Sequence, residues 1–192
     1  MKKNLRNILT LSLGLMTTVA FGQDWDVDSR TRIDMSGDNN KMKTDQRATI
    51  GATWGGSDWG IHVSTDVNYT LGTANTAEVP VNLVEAYAST NIMGYANVTV
   101  GRQVLNYGSG AIISSNDWSA NRTTWDGFTV DLGVDIADVT FGWASRNNGE
   151  ADALETNASN LYANLAKAEG DWSVNLLVTQ ASGEVGGVEV VN

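Results

Sequence analysis

Cysteine is absent from this 192-residue chain, and histidine and proline occur once each. Without Cys there is no disulfide scaffold, no zinc–thiolate site and no thiol nucleophile. A single histidine, His62, excludes multi-His metal centres and leaves imidazole catalysis one candidate. Basic side chains are also scarce: 12 Lys and Arg stand against 22 Asp and Glu, a formal net charge of −10. Nucleic-acid binding needs clustered Lys and Arg to neutralise phosphates, and no basic block is present. Beyond the first 22 residues no long apolar run occurs, so nothing downstream can cross a bilayer as a helix, which needs roughly 20 residues. What is plentiful is glycine, 20 residues, and tryptophan, 7. That balance points to strands, glycine-bearing turns and aromatic anchors.

Residues 1–22 read as a cleaved export signal. Lys2, Lys3 and Arg6 form a positive start, Ile8 to Val19 is apolar, and Ala20 and Gly22 place small residues before Gln23. Its removal leaves one domain of 170 residues, 23–192, with 9 basic and 22 acidic side chains. Any membrane insertion must therefore use strands.

From Trp25 onward apolar and polar residues alternate with period two, which gives a strand two unlike faces. In Trp59–Tyr69, Trp59, Ile61, Val63, Val67 and Tyr69 share one face, and His62, Ser64, Asp66 and Asn68 share the other. Nine such segments lie near 25–36, 43–54, 59–71, 81–90, 95–104, 125–134, 138–146, 158–167 and 172–180. Most match the roughly 9–11 residues of a tilted membrane strand rather than the 5–6 of an ordinary globular strand. Their connections alternate in length. Segments 37–42, 72–80, 105–124 and 147–157 are long, whereas 55–58, 91–94, 135–137 and 168–171 are short. Short periplasmic turns and long external loops give an all-β, antiparallel up-and-down transmembrane β-barrel. Trp25, Trp54, Trp59 and Trp172 then fall at periplasmic strand ends, and Tyr69, Trp125 and Trp143 fall toward external ends, as interfacial girdles. Polar-face acids such as Asp26, Asp28, Asp45, Asp66 and Asp131 read as solvated wall. Nine strands are odd where single-chain bacterial barrels have an even number. Residues 181–187 read as the start of another external loop and 188–192 as the start of a tenth strand, so the chain is expected to be the N-terminal part of a larger barrel.

The stretch from Val84 to Leu132 carries Glu85-Ala86-Tyr87, then Gly101-Arg102-Gln103, Tyr107-Gly108, Asp117-Trp118, Arg122 and Trp125-Asp126-Gly127. This ordered series resembles the alginate-export family of outer-membrane porins. The resemblance implies a monomeric barrel of about 18 strands, within the known range of such barrels, whose lumen passes an anionic polysaccharide. One departure is evident. After Tyr-Gly the family commonly has Asp-x-Arg-hydrophobic, whereas Ser109-Gly110-Ala111-Ile112 stands here.

Selecting a carboxylated polymer calls for guanidinium groups, which pair with carboxylates bidentately. The lumen candidates are Arg30, Arg32, Arg47, Glu85, Arg102 and Arg146. Alternation would aim Arg102 at lipid, so either Gly101 makes a bulge that turns it inward or the side chain snorkels at the rim. The 20-residue connection 105–124 is longer than simple linkage needs. With Asp117, Trp118 and Arg122 it is a candidate constriction folded into the lumen; a mobile surface loop is the alternative.

No nucleophile–His–acid arrangement is legible, and no catalytic residue, metal site or cofactor is expected. Asp24, Asp26 and Asp28 share one strand face and lack the turn glycine of a calcium loop. The expected function is passive passage of hydrophilic solutes or polysaccharide across a Gram-negative outer membrane. Expected partners are outer-membrane lipids, the solute and the outer-membrane assembly machinery, with no nucleic acid. The alternatives are a non-conducting structural or adhesive barrel and a soluble exported carbohydrate-binding β-sandwich.

Overall fold

The computed structural model describes residues 23–35, 42–72, 74, 78–119, 121–134, 136–146, 158–185 and 188–191. The proposed export signal and the 147–157 connection lie outside the described residues. Ten strands follow one another: β1 Gln23–Asp34, β2 Lys43–Gly55, β3 Trp59–Thr70, β4 Val81–Ile92, β5 Ala96–Gln103, β6 Trp125–Val134, β7 Ala137–Arg146, β8 Ala158–Glu169, β9 Trp172–Val185 and β10 Val188–Val191. They form a single antiparallel sheet in chain order β1 to β10. The sheet does not close: among the described residues β1 pairs only with β2, and β10 only with β9. It is a partial up-and-down barrel. No described helix is long and apolar enough to cross a membrane, which says nothing of crossing by strands.

The register turns the sequence alternation into two continuous faces. Val27 lies opposite Ile50, Ala52 opposite Val63, Val100 opposite Phe128, Val130 opposite Phe141 and Leu165 opposite Leu176. Trp25, Val27, Ile61, Leu83, Val100, Phe128, Phe141, Leu161, Leu165, Trp172, Leu176 and Val178 stand exposed along this side. Among the described residues no second sheet covers it, as a β-sandwich would require. Apolar patches on water-soluble monomers rarely exceed a few hundred Å², whereas a face this broad suits hydrocarbon.

Two expectations are corrected here. β9 does not stop at Gln180, because Ala181, Ser182 and Gly183 keep pairing with Asn160, Ser159 and Ala158, and β10 then pairs back on β9. Of the strip 181–187, read as the start of another external loop, residues 181–185 are strand and 186–187 lie outside the described residues. Trp125 is not in an interfacial girdle. Asp126, Phe128, Val130 and Leu132 set the apolar-side parity of β6 through their register with β5, so Trp125 falls on the polar side. There it is 7% exposed and packs with Leu105, Ile113, Ala144 and Tyr162.

Candidate functional site

The connection 104–124 between β5 and β6 lies against the polar face and touches strands from β1 to β9. Three kinds of contact seat it. At its start, Glu85 on β4 accepts the Val104 N–H through Oε1 (3.4 Å) and the Ser64 hydroxyl through Oε2 (3.3 Å). Glu85 also lies 3.4 Å from His62 Nε2, while His62 Nδ1 is 2.8 Å from the Thr53 hydroxyl and its ring stacks on Tyr87 at 5.1 Å. Next comes an apolar plug. Leu105 and Ile113 bury against Trp125, Ala144 and Tyr162, with Tyr107 and Leu177 packed around them. The Tyr107 ring tilts against Tyr162 at 5.2 Å, with the hydroxyls 3.3 Å apart. A turn closes this segment, the Tyr107 N–H donating to Ile113 O and Gly110 N–H to Tyr107 O.

The third contact is ionic. Arg122 grips Asp66 on β3 with two bonds, Nε to Oδ2 at 2.9 Å and Nη2 to Oδ1 at 2.6 Å, and Thr49 on β2 donates its hydroxyl to the same carboxylate at 2.6 Å. Asp66 is 1% exposed. Burying an acidic side chain this deeply is costly without such partners. Burial opposes the charge on Arg122, but the hydrogen bonds and attraction of Asp66, with Asp117 and Glu85 beyond, outweigh it and raise its pKa. Farther along, Asp117 and the carbonyls around it meet three arginines. Arg47, 4% exposed, donates Nη2 to Asp117 Oδ1 at 2.9 Å and Nη1 to the carbonyls of Asp117 (3.1 Å) and Ser119 (3.4 Å). Arg30 donates to the Asp117 carbonyl and, at 2.9 Å, to that of Ser119. Arg32 reaches the Trp118 carbonyl at 3.5 Å. Trp118 itself is 82% exposed, with the Arg30 guanidinium 5.9 Å from its ring.

Of the lumen candidates, Arg30, Arg32 and Arg47 are thus brought together with Asp117, Trp118 and Arg122. Arg30, Arg32, Lys43 and Arg47 line one cleft of about 360 Å³ with Asp45, Glu78 and Asn121. Arg146 lines a second cleft with Asp66 and Arg122. Glu85 anchors the loop's start. Arg102 belongs elsewhere. β5 keeps its register on both sides, so Arg102 stays on the apolar face beside Val100, directly opposite Asp126. It pairs with that carboxylate through Nε and Nη2, each at 2.8 Å. The sheet's irregularity lies instead in β4, where the register with β3 shifts between Ser64 and Thr65.

Residues of the sequence series face one another across β5 and β6: Gly101 with Gly127, Arg102 with Asp126, Gln103 with Trp125. Glycine is required at 101, where φ is +132° and a Cβ would fall 2.3 Å from the Ala86 carbonyl oxygen. Gln103 is buried and accepts the Thr129 hydroxyl at 3.1 Å. Sequence reasoning missed Asp66 as the centre of the ionic seat. It looked like one more solvated acid, and its partner Arg122 lies 56 residues away. Asp26 and Asp28 are exposed as expected.

The sequence profile of the family described as Alginate export matches residues 9–168, and the chain belongs to that family. No curated protein matches it at a significant level. That family is one of export, which points to an outer-membrane export channel.

Proposed function

We propose that the protein is a Gram-negative outer-membrane porin through which hydrophilic solutes, an anionic polysaccharide such as alginate among them, pass down their gradient. The observation that carries this reading is the arginine cluster of Arg30, Arg32, Arg47 and Arg122 on a polar face whose reverse side is broadly apolar. Guanidinium groups recognise carboxylates in a planar, bidentate manner, and a low-dielectric wall focuses their field into a channel. Selectivity then rests on charge and on the width left beside the 104–124 loop. Outer-membrane lipids would cover the apolar face, and the assembly machinery would insert the strands after signal cleavage.

The test is reconstitution of the full-length protein in planar bilayers, with expected ion current and stronger block by oligouronate than by maltotriose. Equal block by the two sugars would remove the anionic specificity, and no current from folded protein would remove the channel. Deleting residues 109–121 is expected to raise single-channel conductance; unchanged conductance would sink the constriction. Val63→Asp, on the apolar face, is expected to block membrane assembly. Recovery of folded Val63→Asp protein in a detergent-free soluble fraction would contradict the membrane reading.

A further inference from the structure

We infer that Arg30, Arg32 and Arg47 form a carboxylate-binding site that the protein occupies with its own Asp117, so that a carboxylated solute opens the loop by competing for these arginines. The inference rests on the channel reading above and adds a gate to it.

Two carboxylates serve this region, and they differ. Asp66 is consumed, holding Arg122 with both oxygens and accepting Thr49 as well. The Asp117 carboxylate takes one hydrogen bond, Oδ1 from Arg47 at 2.9 Å, while Oδ2 lies 3.9 Å from Arg30 and Oδ1 3.9 Å from Arg122. Its side chain is 59% exposed, whereas that of Arg47 beneath it is 4% exposed. Other donors of these arginines, Nη1 and Nη2 of Arg30, Nη1 of Arg32 and Nη1 of Arg47, fall on the backbone carbonyls of residues 117, 118 and 119.

That occupancy is imperfect. Among the described residues Arg47 Nε is buried without a hydrogen-bond acceptor, Asp66 Oδ2 lying 3.9 Å away. Neutral carbonyls are weaker acceptors for guanidinium than carboxylate oxygens are. A solute carboxylate therefore offers these arginines a stronger partner than the loop carbonyls do, and competes on equal terms with the one Asp117 oxygen. The exposed Asp117 can return to water at small cost, since partly exposed ion pairs contribute little. The apolar plug at Leu105 and Ile113 and the Arg122–Asp66 clamp stay in place, so the moving part is the segment around 116–119. A solute that binds only the open arrangement shifts the loop by that differential affinity.

Residues 1–192 contain no cysteine, which simplifies the test. In the full-length protein reconstituted in liposomes, with any cysteine outside these residues replaced by serine, Ser119→Cys is the single thiol, and its rate of modification by a charged maleimide reports loop release. Trigalacturonate is expected to raise that rate at least fivefold, and maltotriose to leave it unchanged. In bilayers, Asp117→Asn is expected to lower the trigalacturonate concentration for half-block about tenfold, with maltotriose unaffected. An unchanged thiol rate at a trigalacturonate concentration that blocks current would overturn the gate while leaving the channel reading intact. An unshifted half-block in folded Asp117→Asn would overturn self-occupancy. If Asp117→Asn does not assemble, the Ser119→Cys experiment alone decides. Absence of current in every folded protein, the unmodified chain included, would sink the channel reading and the gate with it.

Discussion

Two arginine–aspartate pairs in this molecule share a bidentate geometry and differ in everything around them. Arg102 and Asp126 face each other across neighbouring strands on the apolar side, with side chains 37% and 49% exposed. Arg122 and Asp66 meet under a loop on the polar side at 14% and 1%. The first pair neutralises two charges near the end of β5, where an arginine facing lipid costs only about 0–1 kcal/mol. The second carries a loop, because removing one member of a buried pair strands the other without water or partner. The same chemistry is thus tolerance on one face and architecture on the other.

Gly101 joins the two regions, since it precedes Arg102 and its strand leads into the seated loop. Gly101→Val is expected to have the largest effect, loss of assembly, because the side chain would collide with the β4 backbone at Ala86 and Tyr87. Heat-modifiable migration on SDS gels would read this, and a normally folded variant would contradict the tight approach.

Asp66→Ala comes next. Breaking a buried pair costs about 3–5 kcal/mol, with the lower end expected here because Arg122 keeps some solvent access. The check is urea unfolding of the full-length protein in lipid, together with faster protease cleavage between residues 105 and 124. An unfolding midpoint equal to that of the unmodified protein would make Asp66 ordinary wall after all. Asp126→Ala should cost about 1 kcal/mol, as partly exposed pairs do, and Arg102→Leu with Asp126→Leu should recover most of it. If the coupling across Arg102–Asp126 equalled that across Arg122–Asp66 in double-mutant cycles, the contrast would collapse. The smallest effect is that of salt. Raising it from 0.1 to 1 M shortens the Debye length from about 10 to 3 Å, which should weaken the Arg102–Asp126 coupling by a few tenths of a kcal/mol and leave the buried pair unmoved.

The faces and the strands were legible because alternation is a local property: each residue's side follows from its neighbours two positions away. The same rule held the answer for Trp125, since Phe128, Val130 and Leu132 already assign odd positions of β6 to the polar side. Reading Trp125 as a girdle residue put a general preference of tryptophan for interfaces ahead of that parity. For Arg102 parity points to the apolar face, yet its place among the lumen candidates relied on a bulge at Gly101 that the unbroken register of β5 does not make, and its neutralising partner Asp126 comes opposite only once β5 and β6 are in register.

What the sequence determined by itself is therefore the wall: strands of membrane-spanning length, two unlike faces, and a long connection after β5 with the residues of the family series around it. What the tertiary structure alone decided is the role of single polar residues on that wall. Asp28 and Asp66 occupy equivalent alternating positions, yet one is exposed and the other sealed beneath Arg122. Alternation fixes which side a residue faces; only the path of a distant loop fixes whether water or a guanidinium group meets it there.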